Sequence, residues 1–84
     1  MTHDLQLGAL YLRFLRDRPR DAANWLSEAG LAPSRKGQML PDAALTDDVG
    51  DVCRVIEFVG RYPPERLRWL HYDCVARGLP YELW

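Results

Sequence analysis

Eighty-four residues leave room for one small domain, 1–84, and exclude a multi-domain enzyme. A hydrophobic share of 48% and a charged share of 27% exclude a disordered, collagen-like or membrane-embedded chain. Eleven basic against twelve acidic side chains give a net charge of −1, which removes the long-range attraction of a strongly basic nucleic-acid binder, so any contact with phosphate must be local.

The first helix is expected from Leu5 to Arg18. Leu7, Leu10, Tyr11, Phe14 and Leu15 fall at helical spacing, Asp4 or Thr2 stands where an N-cap is wanted, and Pro19 stops the run. Arg13, Arg16 and Arg18 gather in its last turns, where positive charge complements the helix dipole. A second, short helix follows, capped by Asp21 and running through Trp25 and Leu26 to about Ala29, with Gly30 and Leu31 as a left-handed stop. From Ala32 to about Leu45 the residues Pro33, Gly37 and Pro41 predict a long loop, a candidate contact surface.

Thr46 is read as the N-cap of a third helix, with Asp47, Asp48 and Asp51 in its first turns. Val49, Val52, Cys53, Ile56 and Val59 form its i, i+3, i+4, i+7 stripe as far as Gly60. Pro63-Pro64 opens a fourth helix from Pro64 to Arg77, its inner face carrying Leu67, Leu70, His71 and Cys74, and Gly78 with Leu79 closes it. Pro80 to Trp84 is left as a stub. The expected fold is therefore all-α, a small bundle of about four helices with a C-terminal stub.

Chemistry is sparse. Two cysteines, Cys53 and Cys74, are too few for a disulfide scaffold and are expected to be reduced, buried thiols at one level of the core. His71, Cys74, Cys53 and His3 are the set a zinc site would draw on, yet a helix-face pair suits packing as well, so no metal is expected. Asp42, Asp47, Asp48 and Asp51 lack the glycine and terminal glutamate of a calcium loop. No phosphate-binding glycine loop or nucleophile elbow is present, so no cofactor is expected and the chain is expected not to be an enzyme. No leader of the basic-then-apolar type opens it, and no apolar run reaches the roughly 18 residues of a membrane span, so the expected location is cytoplasmic.

The remaining candidates are contact residues. Arg13, Arg16, Arg18 and Arg20, with Arg35 and Lys36, form the one basic concentration, suited to an acidic protein surface or to phosphate. Tyr81 and Trp84 are large apolar groups that either complete a thin core or enter a partner.

The segment from Tyr62-Pro63-Pro64-Glu65-Arg66-Leu67-Arg68-Trp69-Leu70-His71-Tyr72 to Gly78-Leu79-Pro80-Tyr81-Glu82 resembles the start of the region-four domain of extracytoplasmic-function sigma factors and of phage antitermination proteins. The resemblance covers about Asp51 to Glu82 and departs at Leu83-Trp84, where the family continues into the turn and DNA-reading helix. It implies a helix-turn-helix domain without its reading head, whose remaining helices serve protein contacts. The expectation is a small phage-type regulator or inhibitor, monomer or homodimer, that binds stoichiometrically to a host protein or protein–nucleic acid complex. The transcription machinery is one such target; a defence complex is another, as for anti-CRISPR proteins, a likeness of size and type only. The alternative is a DNA-binding regulator using the arginine cluster, as a dimer.

Overall fold

The computed structural model describes residues 3–60 and 63–84, with His3 and Asp4 described by backbone alone. The proposed Thr2 cap, the His3 side chain as a ligand, and Tyr62 of the sigma-like segment lie outside what is described, and Asp4 stands inside the first helix, His3–Asp17, rather than at its N-cap.

The chain is not all-α. It alternates helix and strand: α1 (His3–Asp17), α2 (Pro19–Ala23), β1 (Trp25–Ser27), α3 (Glu28–Leu31), β2 (Ala43–Thr46), β3 (Val52–Glu57), α4 (Pro64–Arg77) and β4 (Tyr81–Leu83), with a single 3-10 turn at Ala32–Ser34. The four strands form one sheet in the order β1-β2-β3-β4. The first two pairings are antiparallel, and β4 runs parallel to β3 after the crossover through α4.

Register sorts the side chains between two faces. Trp25 stands opposite Leu45, Ala43 opposite Ile56 and Ile56 beside Glu82, so one face carries Trp25, Ala43, Leu45 and Ile56. Leu10 and Phe14 of α1 pack there with Ala22 of α2. Ala44, Val55 and Tyr81 share the other face, and Val55 packs against Leu70 and Cys74 of α4. The result is a helix–sheet–helix sandwich with one apolar cluster on each side of the sheet.

Both long helices form where expected, α1 and α4 ending at Asp17 and Arg77. Gly78 adopts the left-handed conformation (φ 67°), and the N–H of Leu79 donates to the carbonyl of Cys74 at 2.9 Å, as a glycine stop requires. The expected second helix is instead α2, β1 and α3. The expected third helix is the β2–β3 hairpin. Asp47 does not cap a helix; its Oδ1 accepts from the N–H groups of Val49 (3.0 Å) and Asp51 (2.9 Å), and Gly50 takes φ 90°, which closes a turn. Only the second half of β3, Val55 to Glu57, is fully buried, and its consecutive apolar pair Val55-Ile56 lets the run satisfy helical spacing by accident. The expected stub is strand β4: the N–H of Trp84 donates to the Glu57 carbonyl at 2.9 Å and the N–H of Val59 to the Trp84 carbonyl at 2.9 Å. A strand therefore stands at Tyr81–Leu83, where the sigma-like resemblance implies the opening of a helix-turn-helix.

Cys53 is exposed and Cys74 buried, both free, so they do not share a level of the core. Burial pushes the Cys74 thiol pKa up. Among the described residues no helix is long and apolar enough to cross a membrane.

Candidate functional site

Of the eight expected contact residues, the fold brings Arg13 and Trp84 together and commits two others to internal work. The Arg13 guanidinium lies 5.3 Å from the centroid of the Trp84 ring. Trp84 also meets Phe14 edge-on at 5.5 Å, so the C-terminal tryptophan both covers the core and borders the surface. With Gln6, Ala9, Leu10 and Phe58 these two residues line an open cleft of about 400 Å³.

Arg18 faces inward. Its two terminal nitrogens donate to both carboxylate oxygens of Glu82 at 2.7 and 2.8 Å, and its Nε donates to Asp21 at 2.7 Å. Those hydrogen bonds hold the Glu82 carboxyl below the usual range. Arg35 is buried and donates to Asp73 of α4 at 3.2 Å. Arg16 pairs with its neighbour Asp17 at 2.7 Å, while Arg20 and Lys36 are exposed. Tyr81 sits in β4, its hydroxyl 3.0 Å from Nδ1 of His71. The six basic positions thus make no single basic face.

What the sequence reading passed over is the outward side of α1. Leu5, Leu12 and Leu15 are 65%, 64% and 44% exposed. With Gly8 they fall at i, i+3, i+7 and i+10, a second apolar stripe opposite the buried Leu10 and Phe14. A Cβ at Gly8 would meet nothing within 4 Å. An amphipathic surface helix has a polar outer face; α1 is apolar on both, which is the pattern of a helix covered on both sides.

A second cluster is buried at the β2–β3–α4 junction. Asp42 precedes β2, Glu57 ends β3, and Arg66 reaches in from α4. Arg66 Nε donates to Glu57 Oε2 at 2.8 Å, and its Nη2 donates to the Leu40 carbonyl at 2.8 Å and lies 3.8 Å from Asp42 Oδ1. The N–H of Asp42 donates to Glu57 Oε1 at 3.0 Å, and Asp42 Oδ2 accepts from the N–H of Phe58 at 2.8 Å. Burial, then the neighbouring Asp42 charge, pushes the Glu57 carboxyl up to about 7, against the pull of the Asp42 N–H and Arg66. One signal for this cluster was present in the sequence: a glutamate inside an apolar run has to find a cation or a proton once buried. Among the described residues no group of three or more His, Cys, Asp and Glu side chains is placed to hold a metal ion.

Comparison with protein families, curated proteins and solved structures found no match for this chain.

Proposed function

We propose that this protein works without catalysis, in the cytoplasm, by stoichiometric binding of another protein on the outward face of α1. The observation that carries this reading is the exposure of Leu5, Leu12 and Leu15 in one stripe. Three leucines on one helix face cost free energy while they face water and return it when a partner covers them, about 25 cal/mol for each Å² of apolar surface removed. The Arg13–Trp84 pair lies on the next flank of α1, about 100° round the helix from Leu12, and offers an aromatic and an arginine, residue types that interfaces favour. The partner proposed is a protein or protein–nucleic acid complex of a host cell, bound by a small phage-type regulator or inhibitor.

The arginine-cluster alternative, a DNA-binding dimer, gains nothing from a basic set in which Arg18 and Arg35 are tied internally. A photo-crosslinker at position 12 tests the docking reading. A discrete adduct, lost in Leu5→Glu/Leu15→Glu and absent when the crosslinker sits at position 68 of α4, supports it; no adduct from position 12 refutes it.

The paired carboxylates Asp42 and Glu57 favour a second reading, hydrolytic chemistry. Two carboxylates, one just before β2 and one at the end of β3, beside an arginine are a donor set suited to a divalent cation and a phosphate ester. It stands second because both carboxylates are closed off and engaged by protein donors. Mg²⁺ or Mn²⁺ raising the melting temperature, with the rise lost in Glu57→Gln, supports it; no shift with either ion removes it.

A further inference from the structure

We propose that α1 of a second copy of this chain covers the outward face of α1 until the docking partner displaces it, the two helices lying antiparallel about a twofold axis at the level of Leu10. The inference rests on the docking reading for the face, and names what occupies that face in the isolated protein.

The spacing selects a helix as occupant. Leu5, Gly8, Leu12 and Leu15 follow one another at steps of three, four and three residues, the a and d positions of two heptads. Leu10 and Phe14 already serve the chain's own core, so this is a second seam on the same helix, with its three leucines left in water.

Gly8 shows how close that occupant comes. A glycine inside a helix weakens it. Nothing within the chain calls for one here: Gly8 does not take a positive φ, and a Cβ would meet nothing within 4 Å. Its use lies outside the chain, in admitting a side chain that approaches the helix backbone.

A second copy supplies that side chain. With the helices antiparallel, residues equidistant from Leu10 meet: Leu5 with Leu15 of the second copy, and Gly8 with Leu12 of the second copy. The leucine enters the space the glycine leaves open. Both contacts repeat across the axis, so one patch complements itself, as an isologous interface requires.

Charge agrees with this orientation. A net charge of −1 leaves little repulsion between copies. Arg16 flanks the seam six residues from Leu10, so its two copies stand about 18 Å apart along the helices, beyond the roughly 10 Å over which salt leaves charges visible. A parallel pair would instead set Arg16 against Arg16 and leave a gap between two glycines. The antiparallel pair also places the helix dipoles head to tail.

The seam is small. A 15-residue helix is about 22 Å long, and two of them bury less than the roughly 1,200 Å² of a stable interface. The pairing is therefore reversible, with a Kd between about 10 µM and 1 mM, and a partner with a larger surface displaces it.

Sedimentation equilibrium of the full chain from about 1 µM to 1 mM measures the association. A monomer–dimer equilibrium is expected, weakened at least about ten-fold by Leu12→Glu and by Gly8→Gln, with melting temperatures close to the parent's. Disulfide crosslinking in a Cys53→Ser background, which removes the exposed thiol, gives the orientation. Leu5→Cys and Leu15→Cys proteins should crosslink when mixed. Neither should crosslink alone, since its two thiol positions stand about 15 Å apart along the helices and a disulfide needs Cα atoms within about 7 Å. A chain still monomeric at about 1 mM, a dimer indifferent to either substitution, or self-crosslinking of a single cysteine variant at the yield of the mixture overturns the proposal. A photo-crosslinker at position 12 in cells separates the two readings. An adduct with another protein, from a chain that is monomeric when pure, leaves docking standing and ends the self-pairing; an adduct only of the mass of two copies does the reverse.

Discussion

Arg18 holds both carboxylate oxygens of Glu82 in a forked pair at 2.7 and 2.8 Å, and so ties the junction of α1 and α2 to the last strand of the sheet, 64 residues away. The same carboxylate accepts from Trp84 Nε1 at 3.1 Å and lies 3.6 Å from Arg54 of β3. Arg18 in turn lies over the Phe14 ring at 4.3 Å. An arginine that looks from sequence like part of a binding cluster is here a fastener for β4.

Arg18→Ala should therefore lower stability by about 1–2 kcal/mol, the range for a partly exposed, doubly hydrogen-bonded ion pair. Arg18→Lys should recover only part of this, because an ammonium cannot fork across two oxygens. Urea denaturation at neutral pH measures both.

The pH dependence has two arms of opposite sign. Glu57 is raised from 4.5 to about 7 in the folded chain, so the folded state binds the extra proton between those values. Its contribution is fully present below about 4.5 and is lost as pH rises through about 7. Glu82 is lowered by its partners, so its contribution is present above the ordinary carboxylate pKa and is lost as pH falls through the lowered value. Melting temperature should rise on going from pH 8 to about pH 5.5 and fall in stronger acid. Glu57→Gln should flatten the first arm and Glu82→Gln should weaken the second.

The thiols should react unequally. Cys53 is exposed and Cys74 buried, with the Cys74 thiol pKa raised by burial. A thiol reagent should modify one equivalent in the native protein and a second only after denaturant is added. Two rapid equivalents, or none, would contradict the placement of β3 and α4.

Phe14 is the residue on which the α1 face of the core depends, buried against Trp25 at 5.2 Å and Trp84 at 5.5 Å. Phe14→Ala should cost about 3–5 kcal/mol and, in a domain this small, leave little folded protein at 37 °C. Thermal melting monitored by near-ultraviolet circular dichroism measures the loss.

The long helices were legible because their signals were local. Pro19 and Gly78 mark ends that the backbone respects, and Pro64 opens α4 as its fixed φ allows. The sheet was hidden by its own burial. The buried half of β3, Val55 to Glu57, lies between the two helical layers, so the polar alternation that identifies a half-exposed strand is missing there. The turn residues Asp47 and Gly50 carried the better signal, since an Asp-x-x-Gly step between two apolar runs suits a hairpin. Tyr81 to Leu83 gains strand character only from β3 beside it, a pairing no local pattern reports.

The candidate site was less legible than the fold. Arg13 and Trp84 were singled out separately and meet in space, but Arg18 and Arg35 found carboxylates contributed by distant segments, Glu82 and Asp73. Leu5 and Leu12 lie outside the periodic stripe that predicts α1, and Leu15 belongs to that stripe although it is exposed. Because Tyr81 to Leu83 is a strand, removing residues 81–84 dismantles a sheet edge and reports on folding as much as on docking.

The reading proposed for α1 is that a protein partner covers its outer face. Its most direct test is the double variant Leu12→Glu/Leu15→Glu, assayed for folding by thermal melting and for partner binding by crosslinking from position 9 in cells that express the protein. Stability should stay within about 0.5 kcal/mol of the parent, as for exposed positions, while the crosslinked adduct is lost. An adduct that persists at parental yield in a folded double variant would contradict it.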